Sequence, residues 1–245
     1  MQKKRRVLLS VTAAVLSILM LLTLVYLNSF YPAASEALSV LEQEDVTVRE
    51  GQIVFRPQGE VKAGLIFYPG GKVAPEAYAP LLDALAERGV LCVLVKMPFH
   101  LAVLSPQRAD GIQEQFPEIE RWYMAGHSLG GAMASSYIAG HTDRFRGLIL
   151  LAAYSTADLS GSSLDVLTVY GSEDGVMNRD SYAKYASNLP ADRTELVIDG
   201  GCHAYFGAYG PQDGDGTPTI SAGEQLAQTV EAILHLIEPE AGSGQ

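Results

Sequence analysis

Short apolar runs alternate with amphipathic segments over most of the chain. Several runs, such as LIFY, LCVLV and LTVY, are continuously apolar, as is typical of strands covered on both faces of a sheet. The pattern predicts strands at residues 46–49, 52–56, 63–68, 91–96, 122–125, 148–151, 166–170 and 195–198. It predicts amphipathic helices at residues 75–88, 107–116, 131–139, 181–188 and 222–237. Strands that alternate with helices predict one α/β domain, residues 46–239, with a mostly parallel sheet and right-handed crossovers.

The N-terminal segment departs from this alternation. Residues 7–31 contain no charged side chain and follow a short basic segment, residues 1–6 (MQKKRR). At about 1.5 Å per residue, this stretch is long enough to cross a hydrocarbon core of about 30 Å. Basic residues next to a span remain in the cytoplasm, so the rest of the chain is expected outside. We predict a single-pass transmembrane signal anchor in the cell membrane.

The regions that flank the α/β domain show little regular alternation of apolar and polar residues. Residues 32–45 are predicted to be a juxtamembrane linker or short helix, and residues 240–245 a flexible tail. A cleavable signal peptide is the rival interpretation of the apolar segment, with Ala33 and Ser35 as a small-residue cleavage site and a secreted product. The apolar region is longer than the usual about 7 to 15 residues of a signal peptide, which favours the anchor.

Charge narrows the choice of partners. The chain carries a formal charge of −11 although residues 3–6 are all basic. The rest of the chain is therefore more acidic still, and an acidic protein repels phosphate backbones. We expect no nucleic-acid partner.

The segment RWYMAGHSLGGAMASS contains the pattern G-x-S-x-G centred on Ser128. A short pattern with two glycines is met by chance in a chain with 24 glycines, so its setting must carry the interpretation. Here the serine lies between a predicted strand and a predicted helix. Gly126 and Gly130 supply the small flanks that such a sharp turn needs, and the helix N-terminus directs positive potential at the serine. We predict a nucleophile elbow.

A nucleophilic serine needs a base and an acid that orients the base, and in this kind of sheet both follow the serine along the chain. His203 lies in the glycine-rich loop DGGCHAYFG directly after the last predicted strand, and is the predicted base; His235 falls in the last helix. The turn YGSEDGV offers Asp174 as the acid, with Glu173 as its solvated neighbour. Asp165 precedes the strand and lies at the wrong end of the sheet.

The loop after the third strand, YPGGKVAP, is predicted to complete an oxyanion hole. The backbone amide of Leu129 is one predicted donor, and the second comes from Gly71, with Lys72 as the alternative. Lys72 is also a candidate for contacting an anionic group of the substrate. Five more residues are expected to wall a substrate pocket: Phe99, His100, Leu101, Tyr205 and Phe206.

These residues together resemble the α/β-hydrolase superfamily over about residues 46–238. The resemblance rests on FYPGGKVAPEAYAPLLDALAERG, GHSLGG, YGSEDGV and GGCHAYFGAYGPQDGDG. The chain is similar to compact bacterial hydrolases related to the dienelactone-hydrolase group, with Ser128 in place of their cysteine. The resemblance implies an eight-stranded sheet flanked by helices and a catalytic triad of Ser128, Asp174 and His203, with no cofactor.

Two further expectations concern the lid and the thiols. Members of this superfamily often carry a lid between the sixth and seventh strands, but AAYSTADLSGSSLD leaves no room for one. The resemblance puts Cys92 on the fourth strand and Cys202 after the eighth, toward opposite sides of the sheet. We therefore expect two free, packed thiols.

A possible metal loop is the weakest of the signals. DGDGTPTISAGE sets Asp213, Asp215, Thr217 and Glu224 at the spacing of calcium ligands, but Pro218 occupies the position where such a loop needs a positive φ. We interpret the segment as a polar loop that caps the last helix, with no metal.

The sequence thus predicts a membrane-anchored, extracytoplasmic serine hydrolase that cleaves small-molecule carboxylic esters through an acyl-enzyme intermediate. Two alternatives remain. The same triad serves acyltransferases and amidases or peptidases, and a surface binding protein could use the fold without catalysis.

Overall fold

The computed structural model describes residues 2–238, and the predicted tail at 240–245 lies outside them. The chain divides between Phe30 and Tyr31 into an N-terminal helical unit and a larger α/β unit. The N-terminal unit is helix α1 (Gln2–Asn28). Within its stretch Lys4–Asn28, an 18-residue window has a mean hydropathy of 2.6, and no part of that window is buried. By length and composition this helix could cross a membrane, and a signal sequence would have the same properties.

The α/β unit is built on an eight-stranded sheet. The strands are β1 (Val46–Arg49), β2 (Gln52–Phe55), β3 (Ala63–Tyr68), β4 (Val90–Val95), β5 (Trp122–His127), β6 (Gly147–Leu151), β7 (Asp165–Gly171) and β8 (Thr194–Ile198). The helices are α2 (Ser35–Val40), α3 (Ala79–Ala86), α4 (Leu129–Ile138), α5 (Arg179–Tyr185) and α6 (Ala222–Ile237). The predicted α/β-hydrolase fold is confirmed, because each predicted strand overlaps one of these strands.

The strand order is β1-β2-β4-β3-β5-β6-β7-β8. Strands β1 and β2 form an antiparallel hairpin, β2 runs antiparallel to β4, and β3 to β8 are mutually parallel. The carboxyl ends of parallel strands meet at one edge of the sheet, where ligands bind in open α/β folds. The loops after β3, β4, β5, β6, β7 and β8 therefore share this edge.

Two apolar layers cover the sheet. Along β3, Leu65 and Phe67 pack on the side of α3 and α6, while Ile66 and Tyr68 pack on the opposite side with α4. Successive strand residues point to opposite faces, and both faces are buried here. This explains why the strands have continuous apolar sequences rather than alternating ones.

The predicted helix at 107–116 is wrong. This segment consists of turns with one short 3-10 helix, Gln113–Gln115. Its backbone is held by tertiary contacts instead: the Ala109 amide donates to the Tyr68 hydroxyl, which donates to the Pro106 carbonyl. Gly111 has a φ of +74°, which interrupts any helix. The apolar spacing had the helical period because Ala109, Ile112 and Phe116 all pack on the core.

The other helices follow the predictions more closely. A 3-10 turn, Pro75–Tyr78, precedes α3, and another, Ala186–Asn188, follows α5. Helix α6 has the predicted bounds and begins with a capping box between Ser221 and Glu224. The predicted linker contains α2, whose Ala37 is fully buried.

The free, packed thiols and the missing lid agree with expectation, but the two cysteines do not lie toward opposite sides of the sheet, because both pack in the apolar layer with α3 and α6. Cys92 and Cys202 are both buried and free. Four strands lie between β4 and β8 at spacings of about 4.8 Å, so these thiols are too far apart for a disulfide. The connection between β6 and β7 contains no helix or strand, and every residue of it is described.

Candidate active site

Ser128 occupies a strained turn between β5 and α4. Its φ and ψ are 51° and −123°, a conformation that a residue with a side chain rarely adopts. The Ser128 amide donates to the Leu151 carbonyl at 2.9 Å, which continues the β5–β6 ladder up to the turn. The serine caps the N-terminus of α4, where the helix dipole gives positive potential.

The glycines around the serine allow three backbone segments to meet. A Cβ on Gly126 would lie 2.6 Å from the backbone of Gly130. A Cβ on Gly130 would overlap the carbonyl oxygens of Tyr68 and Pro69, at the end of β3. The predicted elbow residues are therefore required by sterics, since any side chain there would separate the serine turn from the loop after β3.

Asp174 and His203 form a buried pair. Asp174 Oδ2 accepts a hydrogen bond from His203 Nδ1 at 2.9 Å, and the side chains are 0% and 1% exposed. The other carboxylate oxygen, Oδ1, accepts from the amides of Val176 and Met177 at 2.9 and 2.8 Å. Three donors thus fix the carboxylate, and the carboxylate fixes the imidazole.

This pairing determines the tautomer of the histidine. Because Nδ1 donates its hydrogen to Asp174, the neutral His203 ring keeps a lone pair on Nε2. Within residues 2–238, Nε2 is buried and has no hydrogen-bond partner, so the Ser128 hydroxyl is not bonded to it. In unliganded enzymes, hydrogen bonds between a nucleophile and its base are often long and tighten when substrate binds.

The alternatives considered for base and acid lie elsewhere. Glu173 is exposed and its carboxylate accepts from the Ser172 hydroxyl, while His235 is exposed on α6. Asp165 begins β7 and pairs with Arg146 at 2.8 Å, at the opposite edge of the sheet from Asp174.

Asp215 joins the loop that carries the acid to the loop that carries the histidine. Its Oδ1 accepts from the amides of Gly175 and His203 at 3.2 and 3.1 Å, and its Oδ2 accepts from the Ala204 amide at 2.8 Å. Burial opposes ionisation of Asp215, but the backbone amides outweigh it and lower the pKa of the carboxyl. The sequence showed only that Asp215 has the spacing of a calcium ligand in a loop interpreted as metal-free, and gave no sign of this role. In the described part of the chain, no group of three or more His, Cys, Asp or Glu side chains has the arrangement of a metal site.

His127 lies behind His203 and connects it to the loop after β3. The two imidazole rings have their centroids 4.5 Å apart. Burial, followed by the neighbouring His203, holds the pKa of His127 well below its usual value, so its ring is neutral. The Gly70 amide donates to the Tyr78 hydroxyl at 2.9 Å, which leaves the hydroxyl hydrogen for His127 Nδ1 at 2.8 Å. Sequence reasoning gave no role to Tyr78 or His127.

Two backbone amides are available near the serine. The Leu129 amide is at the first position of α4, where helix amides have no intrahelical acceptor. The Gly71 amide donates no hydrogen bond to the described residues, and a Cβ on Gly71 would lie 2.8 Å from the Leu129 side chain. The alternative donor, the Lys72 amide, is occupied because it donates to the His100 carbonyl at 2.8 Å.

A cavity of about 270 Å³ opens beside Ser128. Residues that follow the ends of three strands line it: Leu129 and Ala132 after β5, Ala152, Ala153 and Tyr154 after β6, and Val176, Met177 and Asn178 after β7. The sequence analysis missed this wall. The rule that ligands bind beyond the carboxyl ends of parallel strands would have identified Tyr154 and Met177 as candidates.

The predicted pocket residues lie outside this cavity. Tyr205 and Phe206 line a separate cavity of about 340 Å³ between α2, α3 and α6. Phe99 is 50% exposed, and both Phe99 and His100 have positive φ angles, of 51° and 57°. Lys72 is half-buried with a φ of 62°.

Comparison with known proteins gives a family and a fold. Residues 64–227 match the alpha/beta hydrolase family. Est1E from Butyrivibrio proteoclasticus is similar in structure, with a TM-score of 0.58 at 15% identity, covering 78% of this chain and 97% of that one. A structure of Est1E with ferulic acid bound has a TM-score of 0.58 at 15% identity, and the match covers 80% of this chain and 98% of that one. TT1662 from Thermus thermophilus has a TM-score of 0.56 at 16% identity, and the match covers 79% of this chain and 98% of that one. No curated protein matches in sequence.

Proposed function

Because the chain belongs to the alpha/beta hydrolase family, we propose that it is a serine hydrolase that cleaves carboxylic esters. Ser128 is the nucleophile, His203 the general base and Asp174 the residue that orients the base. The observation that carries the proposal is the buried Asp174–His203 pair, whose 2.9 Å hydrogen bond leaves Nε2 unpaired within residues 2–238. The lone pair on Nε2 is what a general base needs to accept the proton of the serine hydroxyl.

The reaction follows from the hydrogen-bond pattern. Nε2 of His203 accepts the hydroxyl proton as Ser128 Oγ attacks the ester carbonyl carbon. The resulting imidazolium is stabilised by Asp174, and the tetrahedral oxyanion faces the amides of Gly71 and Leu129. Nε2 then protonates the departing alkoxide, leaving an acyl-serine and free alcohol. A water molecule, deprotonated by the same histidine, attacks the acyl-serine and releases the carboxylic acid with Ser128 restored.

Carboxylic esters are the substrate class that fits best. The cavity beside Ser128, about 270 Å³, is lined mainly by apolar side chains and suits a small acyl or alcohol group. The carboxylic acid bound to the structural relative Est1E is of the kind that ester hydrolysis releases, which supports this class.

We further propose that α1 anchors the enzyme in a membrane with the α/β unit outside the cytoplasm. Its apolar stretch Lys4–Asn28 has the length of a span, and the basic residues at its start favour a cytoplasmic N-terminus. A cysteine introduced at an exposed position of the α/β unit tests the orientation. In intact cells it should react with a thiol reagent that does not cross membranes. Protection of that cysteine in intact cells would overturn it.

Kinetics of matched variants test the catalytic assignment. On a panel of short-chain esters, Ser128→Ala and His203→Ala should each lower kcat by about 10⁴-fold or more. The double variant should be no worse than either single one, because the two residues act as a unit. His235→Ala is the control and should keep wild-type turnover. Ester turnover that survives Ser128→Ala would contradict the assignment.

A further inference from the structure

Exposed apolar side chains cluster at the loop after β4. Phe99, Val103 and Leu104 are 50%, 52% and 53% exposed, and all three lie within the ten-residue segment 97–106. The remaining large apolar side chains exposed on the described α/β unit are spread over separate elements: Leu38, Val48, Val61 and Val197. Scattered exposed apolar residues are ordinary, but a cluster of them indicates a surface that another apolar phase covers.

The backbone of this segment is held in a strained form. Phe99 and the following His100 have φ angles of 51° and 57° in succession, in the left-handed region that bulky residues avoid. The His100 carbonyl accepts from the Lys72 amide at 2.8 Å, which ties the segment to the loop after β3. Strain of this kind persists where the surrounding structure enforces it, and it is concentrated at functional surfaces.

The same loop holds the chain that emerges from α1. The Tyr31 amide donates to the Lys72 carbonyl at 2.7 Å, and the Ala74 amide donates to the Tyr31 carbonyl at 2.9 Å. Tyr31 and Val73 thereby form a parallel bridge. Since α1 ends at Asn28, only two residues, Ser29 and Phe30, separate the end of the helix from this bridge, and the Cα atoms of Asn28 and Tyr31 are at most about 11 Å apart when the chain is extended.

Local charge also differs from that of the whole protein. The chain carries −11, but segment 97–106 has no acidic or basic side chain apart from His100, and the loop at 69–75 has only Lys72. These two segments therefore lack the carboxylates that would oppose contact with a bilayer.

On the basis of the proposed membrane anchor, we propose that Phe99, Val103 and Leu104 contact the surface of a lipid bilayer. The short connection between α1 and Tyr31 holds the carboxyl edge of the sheet at that surface. The three side chains enter the boundary between head groups and acyl chains. The substrates are then esters that reside in the bilayer and reach Ser128 without crossing bulk water. This deepens the proposed ester hydrolysis by naming where its substrate is found.

Lipid contact can be measured without reference to catalysis. Trp122 is the single tryptophan and is 4% exposed. Wild-type tryptophan emission is therefore shielded from quenching by lipid and serves as the baseline. The full-length chain is placed in neutral phosphatidylcholine vesicles with or without brominated acyl chains, which quench tryptophan on contact. Phe99→Trp should lose about half of its added emission to brominated lipid if its ring reaches the acyl boundary. Val48→Trp, at an equally exposed position on β1, should be quenched no more than wild type. Equal quenching of the two variants would overturn the proposal.

Turnover on two kinds of ester separates this proposal from the proposed function. In the same vesicles, Val103→Ser combined with Leu104→Ser should leave hydrolysis of a soluble short-chain ester within about twofold of wild type. It should lower hydrolysis of a long-chain ester dissolved in the bilayer by about tenfold. The control is Val48→Ser combined with Val61→Ser, which should change neither rate. An equal effect of both pairs on the bilayer ester would overturn the substrate assignment. Loss of all ester turnover in wild type would instead overturn the proposed function and leave the quenching result to decide the lipid contact.

Discussion

The two halves of the candidate site are held by different forces. The half around Ser128 is fixed by backbone geometry: a strained φ of 51°, and Gly126 and Gly130 packed against neighbouring main chain. The half around His203 is fixed by charge and hydrogen bonds: Asp174 accepts from His203 and two amides, and Asp215 accepts from amides of both loops. Sterics thus determine the position of Ser128, and carboxylates determine the position of His203.

This difference predicts two kinds of failure. A change at the serine half should act through volume, lowering stability at every pH. A change at the histidine half should act through ionisation and hydrogen bonding, altering turnover with little effect on the fold. The variants below are chosen to break this distinction.

Asp174→Asn should have the largest effect. The one carboxamide oxygen is held by the Val176 and Met177 amides, so the NH2 group faces His203 Nδ1 and donates to it. The ring then adopts the wrong tautomer, and kcat should fall by about 10⁴-fold. Steady-state kinetics on a soluble ester measure the loss. Glu173→Gln, an exposed neighbour, is the control and should retain wild-type turnover. Full turnover of Asp174→Asn together with a large loss in Glu173→Gln would make Glu173 the orienting acid.

Gly130→Ala should produce the largest loss of stability. The new methyl would overlap the Tyr68 and Pro69 carbonyls, and overpacking of this kind lowers the free energy of unfolding by about 3 kcal/mol. Denaturant unfolding of the full chain in detergent measures it. At Gly223 in α6 a Cβ meets no atom within 4 Å, so Gly223→Ala should be neutral or slightly stabilising. Equal stability of the two variants would show that sterics do not position the elbow.

Asp215→Asn should have an intermediate effect, confined to turnover. In place of either oxygen, the carboxamide nitrogen points a donor at an amide of the histidine loop, His203 or Ala204, and so weakens the link between the two loops. We expect kcat to fall about tenfold with KM little changed, since the cavity is untouched. Asp213→Asn removes the same charge at an exposed position and should have no effect. A proportional rise in KM for Asp215→Asn would contradict a positioning role.

His127→Asn should have the smallest effect, visible only in the pH dependence of stability. Burial lowers the pKa of His127 in the folded chain, whereas the unfolded chain binds a proton below about pH 6.5. Unfolding therefore takes up a proton, and wild-type stability falls by up to about 1.4 kcal/mol per pH unit as the pH drops below 6.5. Asparagine retains an acceptor for Tyr78 but does not titrate. The difference in unfolding free energy between the two proteins should vary with pH below 6.5 and be constant above it.

Local patterns in the sequence were sufficient for the strands, the elbow and the last helix. Buried strands have continuous apolar sequences, and a strand-to-helix turn at Ser128 demands small neighbours whatever the rest of the chain does. The segment at 107–116 could not be predicted in this way. Its apolar residues have helical spacing, but hydrogen bonds from Tyr68, some forty residues distant, determine its backbone.

The partners of the site residues were also beyond local reasoning. Asp215 has the spacing of a calcium ligand, and only the folded loops show that its carboxylate accepts from Gly175 and Ala204. Tyr78 is an ordinary aromatic residue at the start of a helix until its hydroxyl is found between Gly70 and His127. Contacts between residues far apart in sequence require the topology first.

Covalent labelling tests the central claim, that Ser128 is the nucleophile, most directly. The full-length protein is treated with a fluorophosphonate probe, and the modified residue is identified by peptide mass spectrometry. We predict a single adduct on Ser128 that is absent from Ser128→Ala and strongly reduced in His203→Ala. No labelling of the wild type, or equal labelling of Ser128→Ala, would contradict the assignment.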